Sequence, residues 1–125
     1  MLYLIVFVGA GVGGALRHFV NVAVMHLGGQ SYVGTAVINV TGSLVMGLLA
    51  GYFALRGHLP QHVRLFLMTG VLGGYTTFSA FSLDAVLLYE RGQIASFISY
   101  VLGSVCLSIC ALFAALFIMR ALLRT

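Results

Sequence analysis

Thr35, Asn39 and Ser43 recur every fourth residue along one apolar stretch, and Tyr100, Ser104 and Ser108 do the same along another. That spacing puts each trio on one face of a helix. A third stretch carries GGYTTFSAFS, Gly73 to Ser82. Here Thr77, Ser79 and Ser82 supply hydroxyls, and Phe78 and Phe81 stand three apart on a neighbouring face. The chemistry on offer is hydrogen bonding without charge. Hydroxyl and amide protons can replace the hydration shell of an anion, and the edge of a phenyl ring is its positive side. Arg17, inside the first apolar stretch, is costly there unless it faces water or an anion. Cation chemistry would call for embedded carboxylates, and the chain has only Asp84, near the end of a stretch, and Glu90 in a connection. Each group also has a plainer use: a serine can bond back to its own helix, and phenylalanines can pack in a core. The residues by themselves leave open both a small-anion pathway and mere glue between helices.

The stretches that position these groups follow from composition. Of 125 residues, 62% are hydrophobic and 6% are charged, too little charge to keep a globular surface in water. The chain reads as an all-α membrane protein with four spans at about 2–25, 32–55, 63–89 and 94–119, forming a single domain of residues 1–125. As a helix, 32–55 covers about 36 Å, enough for hydrocarbon of about 30 Å. The connections are short, and one holds Pro60 between His58 and His62, which argues against helical metal-ligand spacing. Glycine, threonine and serine make Gly73–Ser82 a poor helix in the middle of the third span, so a break is expected there.

No paired carboxylates, Ser-His-Asp set, phosphate loop or metal-spaced His/Cys cluster is visible, so no enzyme is expected. Cys106 and Cys110 read as packing residues within a span. The net charge of +4 comes from six scattered arginines, which read as interfacial anchors rather than a nucleic-acid surface. Arg56, Arg64, Arg120 and Arg124 share one side with both termini, giving a modest bias toward a cytoplasmic location for that side. Gly9/Gly13, Gly47/Gly51 and Gly70/Gly74 each fit GxxxG, which lets helices approach closely; with so small a chain, they suggest an oligomer.

GGALRH (Gly13–His18), TAVINVTGSLVMG (Thr35–Gly47) and TGVLGGYTTFSAFSLD (Thr69–Asp84) resemble, in order and spacing, the Fluc/CrcB fluoride channels, and the resemblance covers the whole chain. It implies a fluoride channel of the bacterial inner membrane, active as an antiparallel, dual-topology homodimer with two pores. Phe78 and Phe81 match the family's anion-facing aromatics, and Asn39 its pore-facing asparagine. Gly73 and Thr76 match the backbone positions of its central structural sodium site. Ala80 and Asp84 depart from the family's usual threonine or serine and glutamate. The rival of another class is a small multidrug-type, proton-coupled exporter of cationic compounds. Such a carrier needs an embedded carboxylate, typically in its first span, and residues 1–25 contain none.

Overall fold

A computed structural model describes residues 1–124, and every regular element among them is helical. Helix α1 (Leu2–His26) and α2 (Ser31–Arg56) are joined by a tight turn at Gly28, whose φ is +86°. The third span begins as α3 (Gln61–Arg64), continues as a π-helix over Leu65–Leu72, and ends its first half with the single turn α4 (Gly73–Tyr75). Helix α5 (Phe78–Glu90) forms its second half, and α6 (Ile94–Leu123) closes the chain. Among the described residues, four helical units of 25, 26, 30 and 30 residues are long and apolar enough to cross a membrane: Leu2–His26, Ser31–Arg56, Gln61–Glu90 and Ile94–Leu123. The protein is therefore a multi-pass membrane protein.

Two seams hold the bundle together. Along the first, α1 packs on the π-helix and α4 with almost no side chain between the backbones. A Cβ built on Gly9 would lie 2.9 Å from Gly70 Cα, and one on Gly13 would strike Val71 O and sit 2.8 Å from Tyr75 N. Along the second, α2 packs on α6, with Gly47 against Ala115 and Leu112, and Gly51 against Met119. All three GxxxG pairs thus close contacts within one chain. Their spacing, taken from the sequence as a sign of an oligomer, describes intrachain packing instead, because small residues serve close backbone approach wherever it occurs.

The largest fully buried side chains are Ile38 and Leu88, and one core cluster joins Ala85, Leu88 and Tyr100 with Phe81 and Phe97 against it. Most of the remaining apolar surface faces outward, as expected when lipid rather than water surrounds the helices. Cys106 and Cys110 are free and exposed on α6, not packed inside.

Candidate ion pathway at the interruption of the third span

Between α4 and α5 the backbone leaves the helical region for two residues. Thr76 has φ −78° and ψ 156°, and Thr77 has φ −152° and ψ 120°. Two weak helix formers, Gly73 and Gly74, precede this point, and a β-branched pair that tolerates extended dihedrals occupies it. Thr77 also begins the next helix, its Oγ1 accepting from Ala80 N at 3.1 Å as an N-cap. Thr76 closes the preceding turn, with its N and Oγ1 both donating to Leu72 O at 3.0 and 2.9 Å.

Helix α2 clasps this stretch. Asn39 makes two bonds with the backbone of Thr77: its Nδ2 donates to Thr77 O at 2.9 Å, and its Oδ1 accepts from Thr77 N at 2.9 Å. Two residues along, the Thr41 and Tyr75 hydroxyls pair at 2.9 Å. Gly42 lies beneath Thr76, where a Cβ would collide with Thr76 Cγ2. The sequence suggested Asn39 as an amide facing a pathway. Its carbonyl oxygen and one amide proton hold the backbone N–H and C=O of Thr77, and the second Nδ2 proton is the one left for another partner.

The clasp changes the carbonyl accounting. In a continuous α-helix the N–H of Thr77 would bond Gly73 O, and that of Ala80 would bond Thr76 O. Here the first is turned to Asn39 Oδ1 and the second to Thr77 Oγ1. Gly73 is exposed, and a Cβ there would meet nothing nearer than Met68 O at 3.7 Å.

Beside the clasp runs an open groove of about 330 Å³ between α2, α5 and α6. It gathers Asn39 and Ser43 from α2, Thr76 and Thr77, Phe78 and Phe81 from α5, and Ser104 and Ser108 from α6, and among the described residues no ionisable side chain lines it. Ser104 is buried, and its Oγ has no hydrogen-bond partner. Phe78 is 79% exposed, whereas Phe81 is partly buried. The two rings are 5.6 Å apart between centroids, and Phe81 in turn lies 5.2 Å from the ring of Tyr100.

Other residues singled out from the sequence fall elsewhere. Tyr100 is buried behind Phe81, its hydroxyl donating to Asp84 Oδ2 at 3.3 Å, and it borders a second depression with Tyr32, Ser96 and Ser99. Thr35 bonds back to Ser31 O, and Ser82 bonds back to Phe78 O at 2.9 Å. Ser79 is exposed beside the Thr77 hydroxyl at 3.4 Å. Arg17 lines a smaller pocket of about 240 Å³ with His18, Asn21, Thr35 and Thr77. Thr77 therefore borders both that pocket and the groove. Asn21, absent from the sequence-derived set, holds a buried Oδ1 without a partner there. Its place one helical turn beyond Arg17 was the available signal.

The family described as CrcB-like protein, Camphor Resistance (CrcB), matches residues 4–116. The fluoride-specific ion channel FluC of Rhodopseudomonas palustris (strain BisB5) is 60% identical over 123 residues, covering 98% of this chain and 99% of that protein. The fluoride-specific ion channel FluC of Methylobacterium nodulans is 60% identical over 117 residues, covering 94% of each chain. That of Granulibacter bethesdensis is 54% identical over 125 residues, with 99% and 98% covered. Similarity over nearly the whole length places the chain in the CrcB family.

Proposed function

We propose that the protein is a fluoride-selective channel giving passive, electrogenic fluoride export, which lowers fluoride toxicity in the cytoplasm of a bacterium. The observation that carries this reading is the groove. It places hydroxyls and an amide from α2 and α6 opposite Phe78 and Phe81, with no ionisable group among them. Fluoride is small and strongly hydrated, so only closely spaced donors can compensate its lost water. Neutral hydroxyls and positive ring edges do so without the tight grip of a fixed cation. Ser104 Oγ, buried and unpartnered, is such a donor held ready. Arg17, in the pocket across Thr77, draws anions toward that side. The names of the relatives, fluoride-specific ion channels, support the same ion. A membrane potential negative inside drives an anion outward without any coupled ion.

The working unit is an antiparallel homodimer in the inner membrane, each subunit contributing the interrupted third span to a common centre. Backbone polar groups cannot face hydrocarbon at low cost, and irregular backbone at membrane depth is tolerated where protein covers it. Gly73, Phe78 and Ser79 are exposed in the single chain, and a second copy crossing there in the opposite sense would cover them. The cation that fits is sodium, held by backbone oxygens of Gly73 and Thr76 from both subunits. Those carbonyls have lost their helical partners to Asn39 and Thr77, and no group of three or more His, Cys, Asp or Glu stands ready for a metal among the described residues. Neutral hard oxygens without carboxylates suit a monovalent ion. Bound there, sodium would supply structural charge neutralisation of freed carbonyls and need not travel with fluoride.

The test is ion efflux from liposomes holding pure protein. Fluoride release that collapses the membrane potential, with chloride retained, is expected; equal release of both ions, or of neither, overturns the reading. Fusing two copies through an added spanning helix forces opposite orientations, and a direct fusion forces parallel ones. Activity confined to the direct fusion would rule out the antiparallel dimer.

A further inference from the structure

A helix interruption can be no more than a weak point in the sequence, or it can be held open by a particular side chain. In this chain one side chain, that of Asn39, bonds both backbone polar atoms of Thr77 at the interruption. The N–H of Thr77 is the only donor that a continuous α-helix would bring to Gly73 O, and it points instead to Asn39 Oδ1, 38 residues earlier in sequence, at 2.9 Å. The same amide donates to Thr77 O at 2.9 Å, so both backbone polar atoms of one residue are held by one side chain of α2. Tyr75 is held to Thr41 on the near side of the same stretch, but through its hydroxyl, which leaves the backbone free.

We infer that Asn39 is a positioning residue for the cation site: by taking the N–H of Thr77, it keeps the carbonyl of Gly73 out of the helical ladder and available to a monovalent cation. This rests on the sodium reading above. The consequence is specific. Without an acceptor at position 39, the Thr77 N–H can close on Gly73 O and extend α4 by one residue, which withdraws one of the cation's oxygens in each subunit. An amide that only faces an anion would leave cation binding untouched. Asn39 borders the groove as well, so a loss of fluoride flux alone does not separate the two roles, and cation affinity does.

The experiment uses the purified full-length protein in detergent. Thermal stability is titrated with sodium chloride against the chloride of a large organic cation at constant ionic strength. The parent should gain stability with a saturable sodium midpoint. Asn39→Leu should move that midpoint upward by at least about tenfold while remaining folded, since each factor of ten is the loss of about 1.4 kcal/mol of binding, the size of one hydrogen-bonded carbonyl contact. Asn39→Asp supplies the rescue. A protonated Asp carries one acceptor and one O–H donor in nearly the geometry of the amide, and the ionised form loses the donor to Thr77 O but keeps the acceptor for Thr77 N–H. Its sodium midpoint should therefore stay within a few fold of that of the parent, or below it, at every pH, and not rise as in Asn39→Leu, because the acceptor for the Thr77 N–H survives ionisation. A sodium midpoint in Asn39→Leu equal to that of the parent overturns the inference and leaves the sodium reading intact. A parent indifferent to sodium overturns both. Should Asn39→Leu fail to assemble, a midpoint in Asn39→Asp raised about tenfold above that of the parent, despite the retained acceptor, overturns the inference on its own.

Discussion

The two halves of the third span are held in opposite ways. Before Thr76, the π-helix and α4 lie against α1 backbone to backbone, with Gly9 on Gly70 and Gly13 on Val71 and Tyr75. After Thr77, α5 meets α2 and α6 through side chains, leaving a groove along Phe78, Phe81 and the serines of α6. The first half is packed backbone to backbone, and the second borders an open, largely apolar groove with a few hydroxyls and one amide in its lining. The contrast shows how a chain of this size can carry irregular backbone inside a membrane. One side of the interruption is packed by glycine contacts against backbone, the interruption itself is clasped by α2, and the far side borders an open groove.

Filling the closed half should have the largest effect. In Gly13→Val the new side chain meets backbone, Val71 O and Tyr75 N, which cannot turn aside as a side chain would. Overpacking of a tight site typically costs about 1–3 kcal/mol, occasionally more. The expected outcome is loss of folded, monodisperse protein on size-exclusion chromatography, with flux lost along with it. A variant that assembles and conducts like the parent would mean that the seam is not rigid.

In the open half the expected damage is to throughput and not to assembly. Phe81→Ile retains apolar volume against Tyr100 but removes the ring edge. Fluoride flux should fall at least about tenfold, equivalent to about 1.4 kcal/mol in the barrier, while elution volume and thermal stability stay near those of the parent. Phe78→Ile should act the same way with even less effect on stability, because Phe78 is 79% exposed. Undiminished flux in both variants would return the two rings to ordinary packing.

How far the sequence alone reached differs between the halves in the same manner. The residues of the open half were legible, because helical periodicity and chemical type select Asn39, Ser43, Phe78, Phe81, Ser104 and Ser108, and the fold brings them together. Thr35 belonged to the same four-residue pattern yet lies in the Arg17 pocket. A helix of 3.6 residues per turn drifts about 40° with every four-residue step, so a stripe of three need not share one cavity. The closed half was harder to read. GxxxG gives the capacity for close approach and not the identity of the partner, and nothing in LFLMTGVL, residues 65–72, distinguishes a π-helix from an α-helix. The clasp was hidden for a related reason: an asparagine in a span announces an amide, and only tertiary structure puts it on the peptide of a residue 38 positions away.

Arg17 lies to one side of that contrast, in the pocket that meets the groove at Thr77. If its role is to raise the local concentration of anions, Arg17→Gln should lower flux about two- to fivefold at low ionic strength. The difference should shrink as salt is added, since the Debye length falls from about 30 Å at 0.01 M to about 3 Å at 1 M. A deficit that stays constant across salt would make Arg17 a structural residue instead.

The smallest effect is expected where sequence and structure disagree most plainly about a hydroxyl. Ser82 follows the aromatic pair and was placed on the pathway with Thr77 and Ser79. In the fold its Oγ donates to Phe78 O at 2.9 Å, within its own helix, and it does not line the groove. A serine bonded back to the preceding turn has no donor to give a passing ion, and such a bond contributes little to the helix. Ser104 is the opposite case: buried, bordering the groove, and without a partner for its Oγ. Ser82→Ala should therefore leave both flux and thermal stability within the range of an ordinary surface change, about 0.5 kcal/mol or roughly twofold. Ser104→Ala, measured in the same liposomes, should lower flux severalfold through loss of one neutral donor. If Ser82→Ala were the more damaging of the two, the ion would run along the outer face of α5, and the groove between α2, α5 and α6 would not be its path.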